Sequence, residues 1–182
     1  MFEGLPDRLE IVDDPMALHR RMQRVTVKLP EDLTTSVPWP MLAEELTRHP
    51  RLLCIVDRRS DARTLHALMP PGTVHLSALM CGAHRSRVLR DIRERLKTAE
   101  LVRVISTQLV EAGVDLDFPV VYRALAGLDA LAQAAGRCNR EGRLDTPGLV
   151  HVFVSPSPPP PGHLRRAAEV ARHVLAAPVT IR

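Results

Sequence analysis

The sequence predicts an α/β domain in which a parallel sheet carries helices on both faces. Three observations lead to this class: short apolar segments of the length of buried strands, amphipathic segments of helical period that alternate with them, and short turns of Gly, Pro and polar residues between the two. The chain has 182 residues, 45% of them hydrophobic and 25% charged, which is enough for one globular domain of this class.

The first fifty residues carry the weakest pattern. Residues 24–29 (RVTVKL) alternate in polarity and are followed by Pro30, which predicts a strand. Ser36 is the expected cap of a helix that begins at Pro38 or Pro40 and continues through MLAEELTRH. We therefore expect one strand and one helix in this part of the chain.

From residue 52 onward, strand and helix patterns alternate regularly. The segments that predict strands are residues 52–56, 73–77, 101–105, a strand that includes 120–122, and 149–154. The segments that predict helices are residues 61–69, capped by Ser60 or Asp61, residues 83–97, and residues 128–137, opened by Gly127 or Asp129. Strands that alternate with helices through short turns predict a parallel sheet.

The strands of such a sheet point the same way, so their carboxyl ends form one edge. Ligands usually bind beyond that edge. We therefore expect the functional side chains in the turns that follow Val56, Ser77, Ile105 and Tyr122.

The C-terminal part of the chain predicts a linker and a helix. Residues 155–162 (SPSPPPPG) cannot join a sheet and predict a stiff, extended linker. Beyond them, apolar residues recur at helical spacing, so a short helix either packs back on the domain or leads into a further one; these residues are Leu164, Ala168, Ala171 and Leu175. The predicted organisation is a main domain over residues 1–154, a linker over 155–162, and a helix with a tail over 163–182.

Composition excludes several classes of protein. No apolar run approaches the roughly 18 residues of a membrane span, and the N-terminal segment carries acidic residues where a secretory signal is basic and then apolar. The three cysteines, Cys54, Cys81 and Cys138, are odd in number and scattered, which predicts neither a disulfide framework nor a metal site. We therefore expect a cytoplasmic protein that binds no membrane and no metal of its own.

The net charge of +4 comes almost entirely from arginine, because Lys28 and Lys97 are the only lysines. The planar guanidinium of arginine suits phosphate recognition, since it can donate two parallel hydrogen bonds. Heavy use of Arg, Ala, Pro and Leu can equally reflect the base composition of the source genome. The charge therefore permits nucleic-acid binding without establishing it.

One polar motif, residues 106–115 (STQLVEAGVD), directly follows a buried strand. The hydroxyls of Ser106 and Thr107 can hold a nucleic-acid phosphate without contacting its base. Gly113 allows a close backbone turn, and Asp115 can accept hydrogen bonds from ribose hydroxyls. The alternative for Asp115 is a simple capping role.

A second motif, residues 133–140 (QAAGRCNR), ends the last helix of the main domain. Gln133, Arg137 and Arg140 can face a triphosphate across a cleft, where a guanidinium stabilises the charge that develops on a transferred phosphoryl group. Alone, paired arginines are usually solvated and Gln133 can be a surface residue. The two motifs can also occur together in another nucleotide-handling α/β domain.

A Thr after a strand, then G-x-D, then Q-x-x-G-R-x-x-R about twenty residues later resembles motifs five and six of superfamily-two helicases. The longer segments 74–96 (VHLSALMCGAHRSRVLRDIRERL) and 104–144 are similar to the CRISPR-associated helicase-nuclease of type I systems. The resemblance covers residues 52–154, over half of the chain.

The resemblance implies the second RecA-like lobe of an ATP-dependent motor that moves along single-stranded DNA and unwinds duplex. In this family the motor is joined to a metal-dependent nuclease domain and recruited by a guide-RNA surveillance complex. Matched residue by residue, the motifs imply contacts with ATP by Asp115, Arg137, Arg140, Gln133 and Gly113. They imply DNA-backbone contacts by Ser77, Ser106 and Thr107, with His84 and Arg85 at the start of an adjacent helix.

Two positions depart from the family pattern. Asp57-Arg58 stands where the family tends to have Asn-Thr, and Ala78 stands where it tends to have Thr. The loss of that hydroxyl weakens the expectation of a DNA contact at Ala78. Arg58 offers a phosphate contact in its place, or is a solvated side chain.

The sequence lacks a phosphate-binding loop G-x-x-x-x-G-K-[ST], an acidic pair for Mg and a His-Asp doublet for a nuclease. We therefore expect ATP and Mg to be held mainly by a first lobe elsewhere, with this chain inactive alone. A fragment of a longer polypeptide is the favoured explanation, and a split or truncated gene is the alternative. The alternative functions are a stand-alone module that binds nucleic acid or protein without catalysis, and the matching lobe of an RNA helicase.

Overall fold

The computed structural model describes residues 12–98, 100–110 and 114–177 of the chain. Six strands form one parallel sheet. The strands are β1 (Val25–Lys28), β2 (Arg51–Ile55), β3 (Val74–Leu76), β4 (Val102–Ser106), β5 (Val120–Ala124) and β6 (Gly148–Phe153). Their order across the sheet is β1-β6-β5-β2-β4-β3, with every neighbouring pair parallel.

The helices are α1 (Pro15–Met22), α2 (Trp39–Thr47), α3 (Arg59–Leu68), α4 (Gly82–Lys97), α5 (Leu128–Ala135) and α6 (His163–Ala176). A single 3-10 turn, Gln108–Val110, follows β4. The predicted strands are confirmed, with ends shifted by a residue or two, and the strand around residues 120–122 extends to Ala124.

The central strands are apolar because both of their faces are covered. In β2, Leu53 and Ile55 pack with α4 and α5, whereas Leu52 and Cys54 pack with α2 and α3. Successive side chains of a strand point to opposite faces, so one short segment contributes to two cores. The predicted class, a parallel sheet with helices on both faces, is confirmed.

Several helix starts differ from those predicted. Ser36 does not cap α2, which begins at Trp39 after Pro38 with no side-chain cap; the fixed φ of proline favours a helix start by itself. Likewise α3 begins at Arg59, so Ser60 and Asp61 lie in its first turn, where a carboxylate is favoured by the positive end of the helix dipole.

Helix α1 was not predicted. Its start nevertheless has a recognisable signature, because Asp14 accepts a hydrogen bond from Ala17 N at 2.8 Å and Pro15 occupies the first turn. None of the residues of α1 is buried. Because α1 buries no face, its sequence has no apolar periodicity that would predict a helix.

Helix α6 packs on the domain, which decides between the two alternatives for the C-terminal helix. Ala168 and Ala171 are buried, and Gly127 at the start of α5 lies so close to α6 that an added Cβ would be 2.9 Å from the Cβ of Ala167. The Arg58 guanidinium donates to Pro158 O at 2.8 Å and so holds the proline-rich segment against the domain. The Arg58 side chain is therefore partly buried and hydrogen-bonded within the chain rather than simply solvated, and its phosphate contact stays a prediction.

Two further findings concern the part of the chain that the structure describes. No helix there has the length and apolar character required to cross a bilayer. Cys54, Cys81 and Cys138 are all free thiols, and only Cys81 is exposed.

Candidate functional site

The residues singled out by the sequence lie at two ends of the sheet rather than at one. Helix α5 carries the chain from the carboxyl end of β5 back toward the amino end of β6, so the residues after it meet the segment that precedes β5. Phe118 N donates to Arg137 O at 2.9 Å, and Asn139 N donates to Phe118 O at 3.0 Å. The expectation that all functional side chains gather beyond the carboxyl ends is therefore wrong for Arg137, Arg140 and Asp115.

At the amino end, residues 137–142 form what we call the arginine loop. The Arg140 guanidinium pairs with the Asp115 carboxylate at 2.7 Å, with the two side chains 44% and 69% exposed. An ion pair this exposed contributes only about 0–1 kcal/mol, so Arg140 can exchange Asp115 for another anion at little cost.

Arg137 lies beside this pair and is partly buried. Burial lowers the pKa of its guanidinium, the positive charge of Arg140 lowers it further, and Asp115 opposes both. Two guanidinium groups, one exposed and one partly buried, thus lie beside one exposed carboxylate. Such a cluster is suited to an anion that accepts several charge-assisted hydrogen bonds, as a phosphate does.

The remaining nucleotide-assigned residues are not all at this end. Gln133 is exposed on α5 and lines a cleft of about 350 Å³ whose wall includes Asp57, Gln108 and Arg123. Gly113 lies outside the described residues. The structure therefore brings Asp115, Arg137 and Arg140 together and places Gln133 in a separate cleft.

At the carboxyl end, three hydroxyls gather where β3 and β4 stop. Leu76 pairs in register with Ser106, so Ser77 and Thr107 follow neighbouring positions of adjacent strands. Ser106 is fully buried, and its hydroxyl donates to Leu76 O at 3.0 Å. The Ser106 hydroxyl thus joins the two strands, whereas Ser77 and Thr107 stand beyond them. We call this set, with the start of α4, the hydroxyl edge.

The start of α4 adds backbone donors to the hydroxyl edge. Its N-cap is Cys81, whose side chain makes no cap hydrogen bond, and the first N–H groups of a helix have no partner within the helix. His84 is exposed and Arg85 partly exposed in this first turn. The positive end of the helix dipole adds to the attraction for an anion.

Helix α4 carries a net charge of +4, six basic residues against two acidic ones, which equals the net charge of the whole chain. In its second half the basic side chains are used internally: Arg93 donates to Asp115 O at 3.0 Å, and Lys97 pairs with Glu94 at 2.9 Å. In its first half, Arg87 and Arg90 are exposed and have no ion-pair or hydrogen-bond partner among the described residues. The uncommitted positive charge of α4 therefore lies next to the hydroxyl edge.

Sequence reasoning missed one feature at the centre of the carboxyl end. Arg123, fully buried in β5, donates to Asp57 Oδ1 at 2.8 Å, and Asp57 is itself only 6% exposed. Gln108 Nε2 donates to the same oxygen at 3.2 Å. The available signal was a charged residue inside the apolar run VVYRALA, together with the departure at Asp57.

Comparison with known proteins shows which sequences and folds this chain is similar to. A family model described as the C-terminal part of the CRISPR-associated nuclease/helicase Cas3 matches residues 56–143, which include every candidate residue named above. The CRISPR-associated nuclease/helicase Cas3 of Haloferax volcanii is 39% identical over 114 residues, which cover 58% of this chain and 12% of that protein. The chain thus corresponds to a small part of a much longer relative.

Solved structures agree in fold. A crystal structure of T. fusca Cas3 with AMPPNP has a TM-score of 0.60 and 20% identity, covering 96% of this chain and 23% of that one. The C-terminal domain of the DEAD-box protein Dbp5 has a TM-score of 0.60 and 14% identity, covering 85% of this chain and 87% of that one. The second match spans nearly a whole domain, so the fold is the RecA-like fold of helicase C-terminal domains.

Proposed function

We propose that this chain, whose residues 56–143 match the model of the Cas3 C-terminal part, is the second motor lobe of an ATP-dependent DNA helicase acting in CRISPR interference against foreign DNA. The observation that carries the proposal is the cluster of exposed Arg140 and Asp115 with partly buried Arg137 at one end of the sheet. The other end of the sheet carries hydroxyls and a basic helix. A lobe of this kind has one surface for nucleotide and another for nucleic acid.

The arginine loop is the proposed nucleotide surface. Arg140 would leave Asp115 and donate to phosphoryl oxygens held by a first lobe, while Arg137 adds a second guanidinium beside it. A guanidinium inserted in this way stabilises transition-state charge and is worth about 10³-fold or more in rate in related phosphoryl transfers. Asp115, released from Arg140, can accept hydrogen bonds from ribose hydroxyls. The structural neighbour that holds AMPPNP supports ATP as the nucleotide.

ATP and its Mg would be bound mainly by the first lobe, because this sequence has neither the phosphate-binding loop nor the acidic pair. The hydrolysis of ATP supplies the free energy for movement. The part of that chemistry assigned to this chain is charge stabilisation by its arginines and closure of the cleft between the lobes.

The hydroxyl edge is the proposed DNA surface. Ser77, Thr107 and the first N–H groups of α4 would hold phosphates, with Ser106 keeping β3 and β4 together beneath them. His84 and Arg85, and beyond them Arg87 and Arg90, extend the positive surface along α4. Aromatic residues make up only 3% of the chain, which disfavours base stacking as the grip.

The remaining partners are proposed from the proteins that this chain resembles. The longer relatives are named nuclease/helicases, so the first lobe and the nuclease would come from the rest of such a protein, whether in one polypeptide or two. Recruitment by a guide-RNA surveillance complex to single-stranded DNA completes the proposed role.

The decisive experiment is Arg140→Ala in the complete motor, that is, this chain together with its first lobe. We expect DNA-stimulated ATP hydrolysis to fall about 10³-fold while the Kd for single-stranded DNA stays within about twofold. Arg143→Ala is the matched control, because Arg143 is an exposed arginine nearby that pairs with Glu141. Near-normal turnover by Arg140→Ala would contradict the proposal.

This chain alone should not hydrolyse ATP even with excess single-stranded DNA and Mg. Turnover by the isolated chain that disappears in Arg140→Ala would mean that the whole ATP site is present here. The alternative function, a stand-alone binding module, is favoured by the missing phosphate-binding loop. It predicts submicromolar, salt-sensitive binding of single-stranded DNA by the isolated chain and no first lobe associated with it.

A further inference from the structure

We propose that Arg24, Asp117 and Asn139 are positioning residues that hold the arginine loop, and that Arg24 ties this loop to the edge strand β1. The inference rests on the proposed function, since it concerns the geometry of Arg140. It adds three residues, one of them outside the family match, to the set on which ATP hydrolysis would depend.

Asp117 holds the loop from below. Its Oδ1 accepts a hydrogen bond from Arg140 N at 2.8 Å, and its Oδ2 accepts one from Glu141 N at 3.2 Å. Both carboxylate oxygens are thus used on consecutive backbone amides of the loop. Hydrogen bonds to an ionised acceptor are the stronger kind, so this contact fixes the direction of the backbone at Arg140.

Asn139 gives the loop its turn. Its φ is +44°, the left-handed region that asparagine tolerates better than most residues. Its Nδ2 donates to Arg24 O at 3.0 Å, and its Oδ1 accepts from Leu144 N at 3.2 Å. The side chain, which is buried, therefore spans from the entrance of β1 to the segment that leaves the loop.

Arg24 closes the arrangement from the other side. Its guanidinium donates to Arg140 O, 116 residues away in sequence, and its own carbonyl accepts from Asn139 Nδ2 and from Gly148 N. Gly148 allows this close packing, because an added Cβ there would lie 2.6 Å from Cys138 Sγ. Both the N–H and the carbonyl of Arg140 are thus bound by side chains from outside the loop.

These contacts fix the backbone of Arg140 and leave its side chain able to move. The backbone of Arg140 is held at both of its polar groups. Its side chain is 44% exposed and, among the described residues, pairs only with the exposed Asp115 carboxylate. Displacing a catalytic group by about 1 Å can lower the rate about 100-fold. A loop that fixes the Arg140 backbone therefore limits the range of positions that its guanidinium can occupy.

The first test uses the isolated 182-residue chain. Amide hydrogen exchange at Arg140 and Glu141 should be slow in the parent chain and about tenfold faster in Asp117→Ala and Arg24→Met, because each substitution removes a hydrogen bond that holds the loop. Arg21→Met, at an exposed arginine of α1, is the matched control and should leave this exchange unchanged. Unchanged exchange in both variants would overturn the proposed clamp.

The second test uses the complete motor and a double-mutant cycle. Arg24→Met should lower kcat for DNA-stimulated ATP hydrolysis about tenfold, with KM for ATP and Kd for DNA unchanged, and Arg24→Lys should restore part of the loss. If Arg24 acts through Arg140, the double variant Arg24→Met/Arg140→Ala should be no slower than Arg140→Ala alone.

The outcomes separate this inference from the proposed function. Normal turnover by Arg140→Ala would overturn the proposed function itself. A severe loss in Arg140→Ala with full turnover in Arg24→Met would overturn only the positioning role. Additive losses, or a shared fall in kcat and thermal stability, would show that Arg24 supports the fold rather than Arg140.

Discussion

The two ends of this sheet carry polar groups that are held in opposite ways. At the hydroxyl edge, Ser77, Ser106 and Thr107 are all at most 6% exposed, and Ser106 is bonded to the neighbouring strand. At the arginine loop, the backbone is fixed, but the Arg140 side chain is 44% exposed. The hydroxyl edge thus presents short, buried side chains, and the arginine loop presents a long, exposed side chain.

The difference matches what each end would bind. A grip on a phosphate backbone can be formed within one lobe, so short side chains and backbone amides at strand and helix ends suffice. A guanidinium that serves a nucleotide held by another lobe must extend across a cleft, and it must be released when the cleft opens. An exposed ion pair with Asp115 holds Arg140 weakly enough for that exchange.

The largest effect should follow from breaking the buried ion pair under the hydroxyl edge. Arg123→Met leaves the Asp57 carboxylate buried with Gln108 as its remaining side-chain donor among the described residues, and removing one partner of a buried pair costs about 3–5 kcal/mol. Urea unfolding of the isolated chain should show that loss in the free energy of unfolding. Because the pair lies in the common core, both ends of the sheet should lose function together.

Two variants sharpen that result. Asp57→Asn/Arg123→Met removes both charges and should recover part of the loss. Arg48→Met, at an exposed arginine paired with Glu44 and Glu45, should cost no more than about 1 kcal/mol. Equal losses for Arg48→Met and Arg123→Met would contradict the structural role assigned to the buried pair.

The next effect should be confined to the hydroxyl edge. Thr107→Val keeps the shape of a nearly buried side chain and removes its hydroxyl, so affinity for single-stranded DNA should fall about tenfold, the value of one hydrogen bond to a charged group. Fluorescence anisotropy would measure it. Thr26→Val, on the exposed edge strand β1, is the control and should have no effect. Equal weakening by both variants would remove the DNA contact from this edge.

A smaller effect should come from α4. Arg87→Gln and Arg90→Gln each remove one uncommitted charge, and each should reduce the slope of log K against log salt by about 0.7 for single-stranded DNA. Arg63→Gln, an exposed arginine of α3, changes the net charge equally and should leave the slope unaltered. If all three variants change the slope alike, the effect is that of net charge and not of a binding surface.

The smallest effect is a change of the free energy of unfolding with pH, and it involves residues outside both the hydroxyl edge and the arginine loop. Burial lowers the pKa of both His49 and His151, which lie against Tyr122, with the His151 ring stacked on the tyrosine at 4.5 Å. A histidine with a depressed folded pKa is neutral in the folded protein, so the unfolded chain binds more protons below the ordinary histidine pKa of 6.5. The free energy of unfolding should therefore fall as pH decreases below about 6.5. His151→Phe should flatten that decline, and an unchanged profile would contradict the assignment.

Much of the fold was predictable because it depends on local periodicity. The run LLCIV reports a strand covered on both faces, and the spacing of Val88, Leu89, Ile92 and Leu96 reports the buried side of α4. Helix α1 escaped prediction because it buries no face, and Ser36 was a wrong cap because a proline start needs none.

The candidate site was predictable in its residues and not in its layout. Spacing and residue type singled out Asp115, Arg137 and Arg140 as candidates. The rule that functional groups lie beyond the carboxyl ends placed these residues at the wrong end of the sheet. A crossover helix reverses the direction of the chain, and only the pairing of Phe118 with Cys138 shows where the loop after it arrives.

The sequence by itself determined the fold class, the two motifs and the family resemblance, because each depends on residues that are near one another along the chain. Only the tertiary structure shows three contacts. The Ser106 hydroxyl joins β4 to β3, Arg58 binds the proline-rich segment, and Arg24 donates to the arginine loop. These contacts join residues 30, 100 and 116 positions apart. They exist because the strand order brings β1 beside β6 and β3 beside β4, and no local pattern encodes that order.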